Sequence, residues 1–318
     1  MQARQTVIAS HTMTGPACDW RAIGVRLERA EEKHCVGYAM SDVGEIRQAA
    51  VLTIAGSDSG GNAGIQADLR AFHYFGVHGC TAITALTAQN QYGVKSVVIA
   101  DGPFMVDQLA CILNVYAVQA LKTGMLATAE VIEAVAGQLA LHARIAKVID
   151  PVMVATSGAK LLDDDAIEVM KKQLLPLATL ITPNLPEVEV LLGRPVTTRE
   201  EQADAARELA RQYGCAVLIK GGHGSGMAAE DVFVDETTCV RLSLPRIEQP
   251  LSTHGTGCSL SAAIVASLAS GRSLLDAVKE GKAFVYEAIR TAVSVGDAAQ
   301  VLGTPQRLPL EQLVVEVI

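Results

Sequence analysis

The sequence lacks an apolar run long enough to cross a membrane, and it lacks the marks of a secreted protein. None of its 318 residues lies in an apolar stretch of about 18 or more. The N-terminus does not show the basic, apolar and small-residue segments of a secretory signal. We therefore expect a cytoplasmic protein that does not bind membranes.

Positive charge and paired cysteines are also scarce. The chain has 26 Lys and Arg against 34 Asp and Glu, and a net charge of -8 does not suit binding to nucleic acid, which needs a basic surface. The seven cysteines include no CxxC pair, so the sequence predicts neither a disulfide framework nor a structural zinc site. One globular enzyme with reduced cysteines is the expectation.

The first 48 residues differ from the rest of the chain. They hold the single Trp and show no sustained period of 2 or 3.6 residues. Met40 begins MSDVGEIRQAAVLTIAG, which has the character of a natural start, and the acidic Glu28, Glu31 and Glu32 argue against a transit peptide. We predict a poorly ordered N-terminal extension over residues 1–48 and one enzyme-sized globular domain over residues 49–318.

From Ala50 onward, short apolar runs alternate with amphipathic segments. The predicted strands are VLTIAG (51–56), TAITAL (81–86), KSVVIA (95–100), AKVID (146–150), TLIT (179–182) and AVLIK (216–220). Segments with helical period, such as GIQADLRAFHYFG and AEVIEAVAGQLALHA, separate them. This alternation predicts a mostly parallel sheet covered by helices on both faces, with ligands bound beyond the carboxyl ends of the strands.

A glycine-rich segment, AGSDSGGNAGIQADLR (residues 55–70), leads from the first predicted strand into a helix. Its glycines would let backbone amides approach a ligand closely, and Asp68 lies where a carboxylate could face the site. The alternative is a flexible strand-to-helix turn. The segment matches neither the P-loop, which needs GK[ST], nor the GxGxxG fingerprint.

A second segment, STHGTGCSLSAAIVASLASG (residues 252–271), places Gly255, Thr256 and Gly257 before an Ala-rich helix. Free amides and the positive helix end would form an anion hole for a phosphoryl group. The helix dipole should lower the pKa of the Cys258 thiol, which could then take a proton from a substrate hydroxyl. The alternative is a buried cysteine that packs the start of the helix.

Three further polar positions follow predicted strands. In TPNLPEVEVLLG, Asn184 and Glu187 could hold a hydrated Mg²⁺, or could form an N-cap and its capping-box carboxylate. Lys220 ends a buried strand, where an ammonium either meets a nucleotide phosphate or stays in solvent. Asp150 either orients metal-bound water or caps a turn.

Several segments occur in one order along the chain: AGSDSGGNAGIQADL, ITALTAQN, KTGML, IDPVMVATSG, LITPNLPEVEVLLG, IKGGH and THGTGCSLSAA. Together they closely resemble the hydroxymethylpyrimidine/phosphomethylpyrimidine kinase family of the ribokinase-like superfamily, from about Ala50 to the C-terminus. The resemblance implies a ribokinase-like α/β fold with a mostly parallel central sheet flanked by helices on both faces. It also implies ATP and Mg²⁺ as cofactors, a small pyrimidine substrate and a homodimer.

The resemblance further implies a role for individual residues. It assigns pyrimidine recognition to Gln89, and other substrate-pocket positions to Ala63, Asp68 and Met125. It assigns the Mg-phosphate motif to Asn184 and Glu187, the ATP site to Lys220, and the anion hole to Gly255, Thr256 and Gly257. Cys258 stands where most ribokinase-like relatives carry an Asp as catalytic base.

The implied reaction is phosphorylation of 4-amino-5-hydroxymethyl-2-methylpyrimidine and then of its monophosphate, for thiamine biosynthesis. Two alternatives stay open: a pyridoxal kinase of the same fold, and a catalytically silent ligand-binding relative. The chain departs from the family pattern at Asn62, where the loop usually has Gly, and at Ser252, where Asn is common. We expect these changes to tune the site and not to abolish it.

Overall fold

A ten-stranded sheet organises the part of the chain that the computed structural model describes, which is residues 48–153, 162–222 and 226–318. Its strands are β1 (Ala50–Asp58), β2 (His78–Asn90), β3 (Gly93–Ile99), β4 (Val118–Thr123), β5 (Ala146–Ile149), β6 (Leu180–Ile181), β7 (Ala216–Lys220), β8 (Ala228–Val234), β9 (Cys239–Pro245) and β12 (Val314–Val317). A separate hairpin contains β10 (Val293–Val295) and β11 (Ala299–Val301).

The strand order is β12-β9-β8-β7-β6-β5-β4-β1-β2-β3. The strands from β2 through β1, β4, β5 and β6 to β7 pair in parallel, while β3 at one edge and β8, β9 and β12 at the other pair antiparallel. The predicted fold class is therefore confirmed, and all six predicted strands are present. KSVVIA, however, forms an antiparallel edge strand.

Four strands of the sheet have no counterpart among the sequence predictions: β4, β8, β9 and β12. In β4, β8 and β9, charged residues interrupt the apolar pattern at Lys122, Asp231 and Arg241. All three side chains are nevertheless buried. Lys122 and Asp231 form ion pairs with residues distant in sequence, so a pattern of local polarity could not reveal these strands.

The helices cover both faces of the sheet. They are α1 (Gly64–Tyr74), α2 (Gly102–Leu113), α3 (Ala129–Ala140), α4 (Asp164–Val169), α5 (Leu185–Leu192), α6 (Arg199–Tyr213), α7 (Thr256–Ala269) and α8 (Leu274–Arg290). One core cluster joins α2 to α6 with the sheet, and another joins α1, α7 and α8 with its opposite face. Strand β1 contributes to both clusters, because successive side chains of a strand point to opposite faces: Leu52 packs in the first cluster and Val51 in the second.

Helix α7 is the most deeply buried of these helices, since apolar and small residues surround it on nearly every side. Its first turn lies next to α1 and the central strands, near the carboxyl ends of β1 and β5. None of the described helices is long and apolar enough to cross a membrane.

The described residues belong to one unit that begins at Arg47. The predicted extension over residues 1–48 lies outside the described residues except for Gln48, so the domain boundary at residue 49 stays a prediction. The ends of two motifs, residues 154–161 and 223–225, lie outside them as well.

Candidate active site

The glycine-rich loop after β1 is organised by Asp58. Its carboxylate accepts hydrogen bonds from the backbone amides of Gly60 (2.8 Å), Asn62 (3.0 Å) and Ala63 (2.9 Å). Burial opposes ionisation of Asp58, but hydrogen bonds from His254 and from these amides outweigh it and lower the pKa to about 2. The loop is therefore held in one conformation by a carboxylate and is not a flexible turn.

The start of α7 docks on this loop through Gly255. A Cβ at Gly255 would lie 1.9 Å from the carbonyl oxygen of Asn62, and Gly255 has a φ of 87°, so only glycine fits here. Asn62 itself is not among the described non-glycine residues with positive φ, and its side chain is buried. Its backbone conformation therefore does not need the glycine that is usual at this position of the family.

Gln89 lies at the end of β2, where the pairing with β3 shifts register between Ala88 and Gln89. Two hydrogen bonds connect the Gln89 backbone to the glycine-rich loop. The Gln89 N–H donates to Ser59 Oγ (2.8 Å), and the Gln89 carbonyl accepts from the same hydroxyl (2.9 Å). The Gln89 side chain remains half-buried and contacts His254. Such a bulge re-aims a side chain relative to the sheet.

The other predicted substrate positions surround the same loop. Ala63 is the N-cap residue of α1, and Met125 follows β4 with its side chain against Gly56, where a Cβ would lie 2.6 Å from the Met125 methyl carbon. The Met125 carbonyl accepts a hydrogen bond from Thr84 Oγ1 (2.7 Å). The structure thus brings Ala63, Gln89 and Met125 to the end of β1, while their contacts with a substrate stay predictions.

Asp68 lies beneath this region and is fully buried. Its carboxylate accepts from Lys122 Nζ at 3.0 and 3.1 Å and from Thr53 Oγ1 at 2.6 Å, and Lys122 is also fully buried. Burial raises the pKa of Asp68, against the opposing charge of Lys122. Both carboxylate oxygens of Asp68 are hydrogen-bonded inside the protein. The geometry therefore favours Asp68 as the ion-pair partner of Lys122 over the predicted contact of Asp68 with substrate.

Cys258 lies in the first turn of α7, as expected, but the predicted pKa shift is wrong for the protein alone. Burial raises the pKa of the Cys258 thiol, although Lys122 and a hydrogen bond from the Gly64 backbone amide oppose this change. The helix dipole is a partial charge of about half a unit, whereas desolvation acts on the full charge of a thiolate. Thr256 and Gly257 also lie within α7 and do not precede it.

A second ionic cluster lies on the other side of the α7 start. Lys220 Nζ donates to Asp150 Oδ1 at 2.6 Å and lies 4.0 Å from Glu187 Oε2, and Thr182 Oγ1 donates to Asp150 at 3.1 Å. A Cβ at Gly257 would lie 3.5 Å from Asp150 Oδ2 and 3.7 Å from Lys220 Nζ. Lys220 is therefore paired and largely buried and does not extend freely into solvent.

Asn184 and Glu187 form the capping box of α5. Asn184 Oδ1 accepts from the Glu187 N–H at 2.9 Å, and Glu187 Oε2 accepts from the Asn184 N–H at 2.8 Å. Burial raises the pKa of Glu187 to about 7, against the attraction of Lys220. The capping alternative is thus present in the structure, and a role of this pair in binding magnesium stays a prediction.

The donor set fits a Mg²⁺ ion that is held mainly by phosphate and water. The described residues contain no group of three or more His, Cys, Asp or Glu side chains arranged to hold a metal. Asp150 Oδ2 faces Gly257 in the first turn of α7, while Asp150 Oδ1 is paired with Lys220. Magnesium commonly binds one or two carboxylates, with waters and substrate phosphates as the remaining ligands.

The residues of this region that the sequence analysis did not select as site residues are Thr53, Asp58, Lys122, Thr182 and His254. Lys122 is the one that the sequence indicates most clearly, because it is a charged residue in an otherwise apolar strand, at the start of the KTGML motif. Asp58 lies within the glycine-rich segment AGSDSGGNAGIQADLR, and His254 lies within THGTGCSLSAA. Their partners are distant in sequence, and 165 positions separate His254 from Gln89.

Comparisons with known proteins show which family this chain belongs to. A family model described as phosphomethylpyrimidine kinase matches residues 58–302. The hydroxymethylpyrimidine/phosphomethylpyrimidine kinase of Rhizobium meliloti (strain 1021) is 47% identical over 245 residues, covering 77% of this chain and 91% of that protein. The thiamine biosynthesis bifunctional protein ThiED of Geobacter sulfurreducens is 44% identical over 246 residues, or 77% of this chain, and the chain spans 50% of its length.

A solved structure shares the fold. The pyridoxal kinase from Staphylococcus aureus in complex with AMP-PCP superposes with a TM-score of 0.77 at 32% identity, covering 86% of this chain and 100% of that chain. The matched residues 58–302 include Asp58, Gln89, Lys220 and the start of α7. With its mostly parallel sheet, its glycine-rich loop and its glycine-led start of α7, the chain belongs to the phosphomethylpyrimidine kinase family, on a ribokinase-like fold.

Proposed function

We infer that this protein transfers phosphoryl groups from ATP to 4-amino-5-hydroxymethyl-2-methylpyrimidine and then to the resulting monophosphate, in thiamine biosynthesis. One observation carries the inference: Cys258 follows Gly257 in the first turn of α7, and Gly257 adjoins Asp150 and Lys220. A potential base, the Gly257 amide at the helix start and a cation therefore meet at one point. Phosphoryl transfer needs these three components.

The chain's own residues have distinct tasks in this reaction. The Cys258 thiolate takes the proton of the substrate hydroxyl, whose oxygen forms the new bond to phosphorus while ADP leaves. The amide of Gly257 and the ammonium of Lys220 stabilise the negative charge on the transferring group. The Thr256 amide, which donates to the Thr253 carbonyl at 3.4 Å, joins them by exchanging that acceptor for a phosphoryl oxygen. Gln89 holds the pyrimidine edge, since an amide both donates and accepts hydrogen bonds.

Nucleotide use rests on similarity and on the donor set. The related Staphylococcus aureus pyridoxal kinase has been solved with AMP-PCP, which supports ATP as the phosphoryl donor here. Asp150, Asn184 and Glu187 would hold Mg²⁺, which supplies charge neutralisation for the phosphates when it is bound. Because the reaction consumes ATP, we also place it in the cytoplasm.

Pyridoxal kinase activity is the second candidate, since the Staphylococcus aureus enzyme shares the fold at 32% identity. Mass spectrometry of reactions with ATP and the pyrimidine alcohol, its monophosphate or pyridoxal distinguishes the two. We expect phosphorylation of the first two acceptors. Turnover of pyridoxal alone would identify a pyridoxal kinase, and ATP stability with every acceptor would indicate a catalytically silent ligand-binding protein.

A homodimer is the remaining element of the proposal. The edge patch, formed by exposed apolar residues of β2, β3 and their connection, consists of Leu86, Tyr92, Val94, Val97, Val98 and Ile99. An unpaired edge strand with such side chains is normally covered, and a second copy of the chain is a common partner.

We predict that Val98→Lys lowers the mass in solution from that of a dimer to that of a monomer, because a charge at the patch would be buried without a partner. Light scattering after size-exclusion chromatography measures the mass. Val317→Lys on the opposite edge strand is the matched control and should leave it unchanged. A wild-type protein that is monomeric at micromolar concentration would contradict the proposal.

A further inference from the structure

A buried ion pair joins β8 to α8 and is not part of the site described above. Lys282 Nζ, on α8, donates to Asp231 Oδ2, on β8, at 2.7 Å, and both side chains are more than nine-tenths buried. The other carboxylate oxygen, Asp231 Oδ1, accepts a hydrogen bond from the backbone N–H of Gly221 at 2.9 Å. Asp231 therefore connects α8 to the residue that directly follows Lys220.

Gly221 leaves β7 at a point where a larger residue does not fit. Strand β7 ends at Lys220, which pairs with Asp231 of the neighbouring β8. A Cβ at Gly221 would lie 2.1 Å from the carbonyl oxygen of Glu230, so the chain passes directly against β8. Gly221 is buried in this position, and a buried N–H needs an acceptor. The side chain of Asp231 supplies that acceptor.

Two hydrogen bonds fix the peptide groups on either side of the Lys220 Cα. The N–H of Lys220 itself donates to the carbonyl of Pro183 at 2.9 Å. The next N–H along the chain, that of Gly221, donates to Asp231. Because each peptide group is planar, fixing both groups sets the φ and ψ of Lys220 and the direction in which its side chain leaves the strand. That direction brings the ammonium to Asp150, at 2.6 Å.

The same ion pair connects the end of β7 to α7. Gly281 precedes Lys282 on α8 and packs closely against α7: a Cβ there would lie 2.7 Å from Ile264 Cγ1 and 3.3 Å from Leu260 Cδ1. Helix α8 therefore carries Lys282 at a fixed position relative to α7. Through Asp231, this position is passed on to the end of β7, which lies next to the first turn of α7.

Stability alone does not account for the Lys282–Asp231 pair. Apolar side chains of similar size often replace a buried ion pair without loss of stability, because the charges no longer have to be removed from water. An apolar side chain at position 231 could not accept the Gly221 N–H, however, and a buried donor without a partner is costly. The pair thus supplies an acceptor that is held in one place by Lys282.

We propose that Asp231 and Lys282 are positioning residues for the phosphoryl donor: Lys282 holds the Asp231 carboxylate, the carboxylate holds Gly221, and this arrangement orients the Lys220 ammonium toward the phosphates of ATP. The inference rests on the proposed function, in which Lys220 stabilises the transferring group. It predicts that loss of the acceptor weakens nucleotide binding in a protein that is still folded.

The test compares two double variants that both lack the ion pair. Asp231→Leu with Lys282→Met leaves the Gly221 N–H without an acceptor, whereas Asp231→Asn with Lys282→Met keeps one in the amide oxygen. We expect the Leu/Met variant to raise the Kd for AMP-PCP and the KM for ATP about threefold to tenfold, as the loss of one hydrogen bond implies. The Asn/Met variant should stay within about twofold of the wild type. The Kd for the pyrimidine alcohol, measured by calorimetry like that for AMP-PCP, should change in neither.

The single variant Asp231→Asn gives a second comparison, which remains available if the Leu/Met variant does not fold. Its one amide oxygen faces two donors, and the charged Lys282 makes the stronger hydrogen bond, so the amide nitrogen turns toward Gly221. We expect the same loss of AMP-PCP affinity, which the further substitution Lys282→Met should restore. Lys279→Met, which breaks a partly exposed ion pair about one turn earlier on α8, is the matched control and should leave the Kd unchanged.

The Lys220→Met background shows whether the effect passes through Lys220. There, Asp231→Leu with Lys282→Met should raise the Kd for AMP-PCP less than about twofold, because the residue through which it acts is gone. A folded Leu/Met variant with the wild-type Kd, or equal losses in the Leu/Met and Asn/Met variants, would overturn the proposal. Because AMP-PCP binding needs no turnover, a protein that shows these shifts but phosphorylates no acceptor would support the positioning role and contradict the proposed reaction.

Discussion

The Cys258→Ala variant should phosphorylate the pyrimidine alcohol about 100-fold more slowly than the wild-type enzyme, which is the usual size of a general-base contribution. The substitution removes one sulfur atom from the first turn of α7 and leaves the backbone amides of that turn in place. We therefore expect kcat to fall while the KM for ATP changes little. Initial rates at saturating substrate measure the effect.

The pH dependence of kcat tests the role of the Cys258 thiolate more directly. Since burial raises the pKa of Cys258, only a small fraction is thiolate near neutral pH, and kcat should increase with pH as that fraction grows. Cys258→Asp should regain part of the activity and lose this alkaline increase, because a carboxylate is already ionised near neutral pH. An unchanged rate in Cys258→Ala would leave the cysteine with a structural role only.

Lys122→Met should destabilise the protein by about 3–5 kcal/mol, since removal of one member of a buried ion pair leaves the other charge uncompensated. Lys122 and Asp68 are both fully buried and 3.0 Å apart. Urea unfolding at neutral pH measures the loss. Lys171→Met is the matched control: Lys171 pairs with Glu168 near the surface, where solvent screens the charges, so its loss should cost far less than that of Lys122.

The deficit of Lys122→Met should shrink as the pH falls. Without Lys122, the already raised pKa of Asp68 rises further, so the folded variant binds a proton that the unfolded chain releases. Stability of the variant then decreases as pH rises above the unfolded pKa of an aspartate. A double variant, Lys122→Met with Asp68→Asn, should recover much of the stability. Equal stability of Lys122→Met and the wild type would contradict the assigned pairing.

The local features of the site could be predicted from short segments of sequence. The strand-to-helix junction at Asn184 and Glu187 follows from Pro, Asn and Glu at capping positions, and the structure contains the capping box. The glycines before Cys258 likewise indicated a helix start. Each of these features depends on backbone geometry within a few residues, which the sequence specifies directly.

Features that combine distant segments were not predictable in this way. The family resemblance assigned Asp68 to the substrate pocket, and its place on α1 could be predicted from the sequence, whereas its pairing with Lys122, 54 positions away, could not. The shift in the pKa of Cys258 was predicted in the wrong direction for the same reason. The helix dipole is a property of the local segment, but desolvation depends on everything packed around the thiol.

The sequence by itself determined the alternation of strands and helices, the family, and the positions of the glycine-rich loop and of the start of α7. The tertiary structure alone decided which charges meet: Asp68 with Lys122, Asp150 with Lys220, and His254 with Gln89. The physical reason is the distance along the chain over which each effect acts. Backbone conformation and hydrophobic period act over a few residues, whereas ion pairing and desolvation depend on distances that only the folded chain creates.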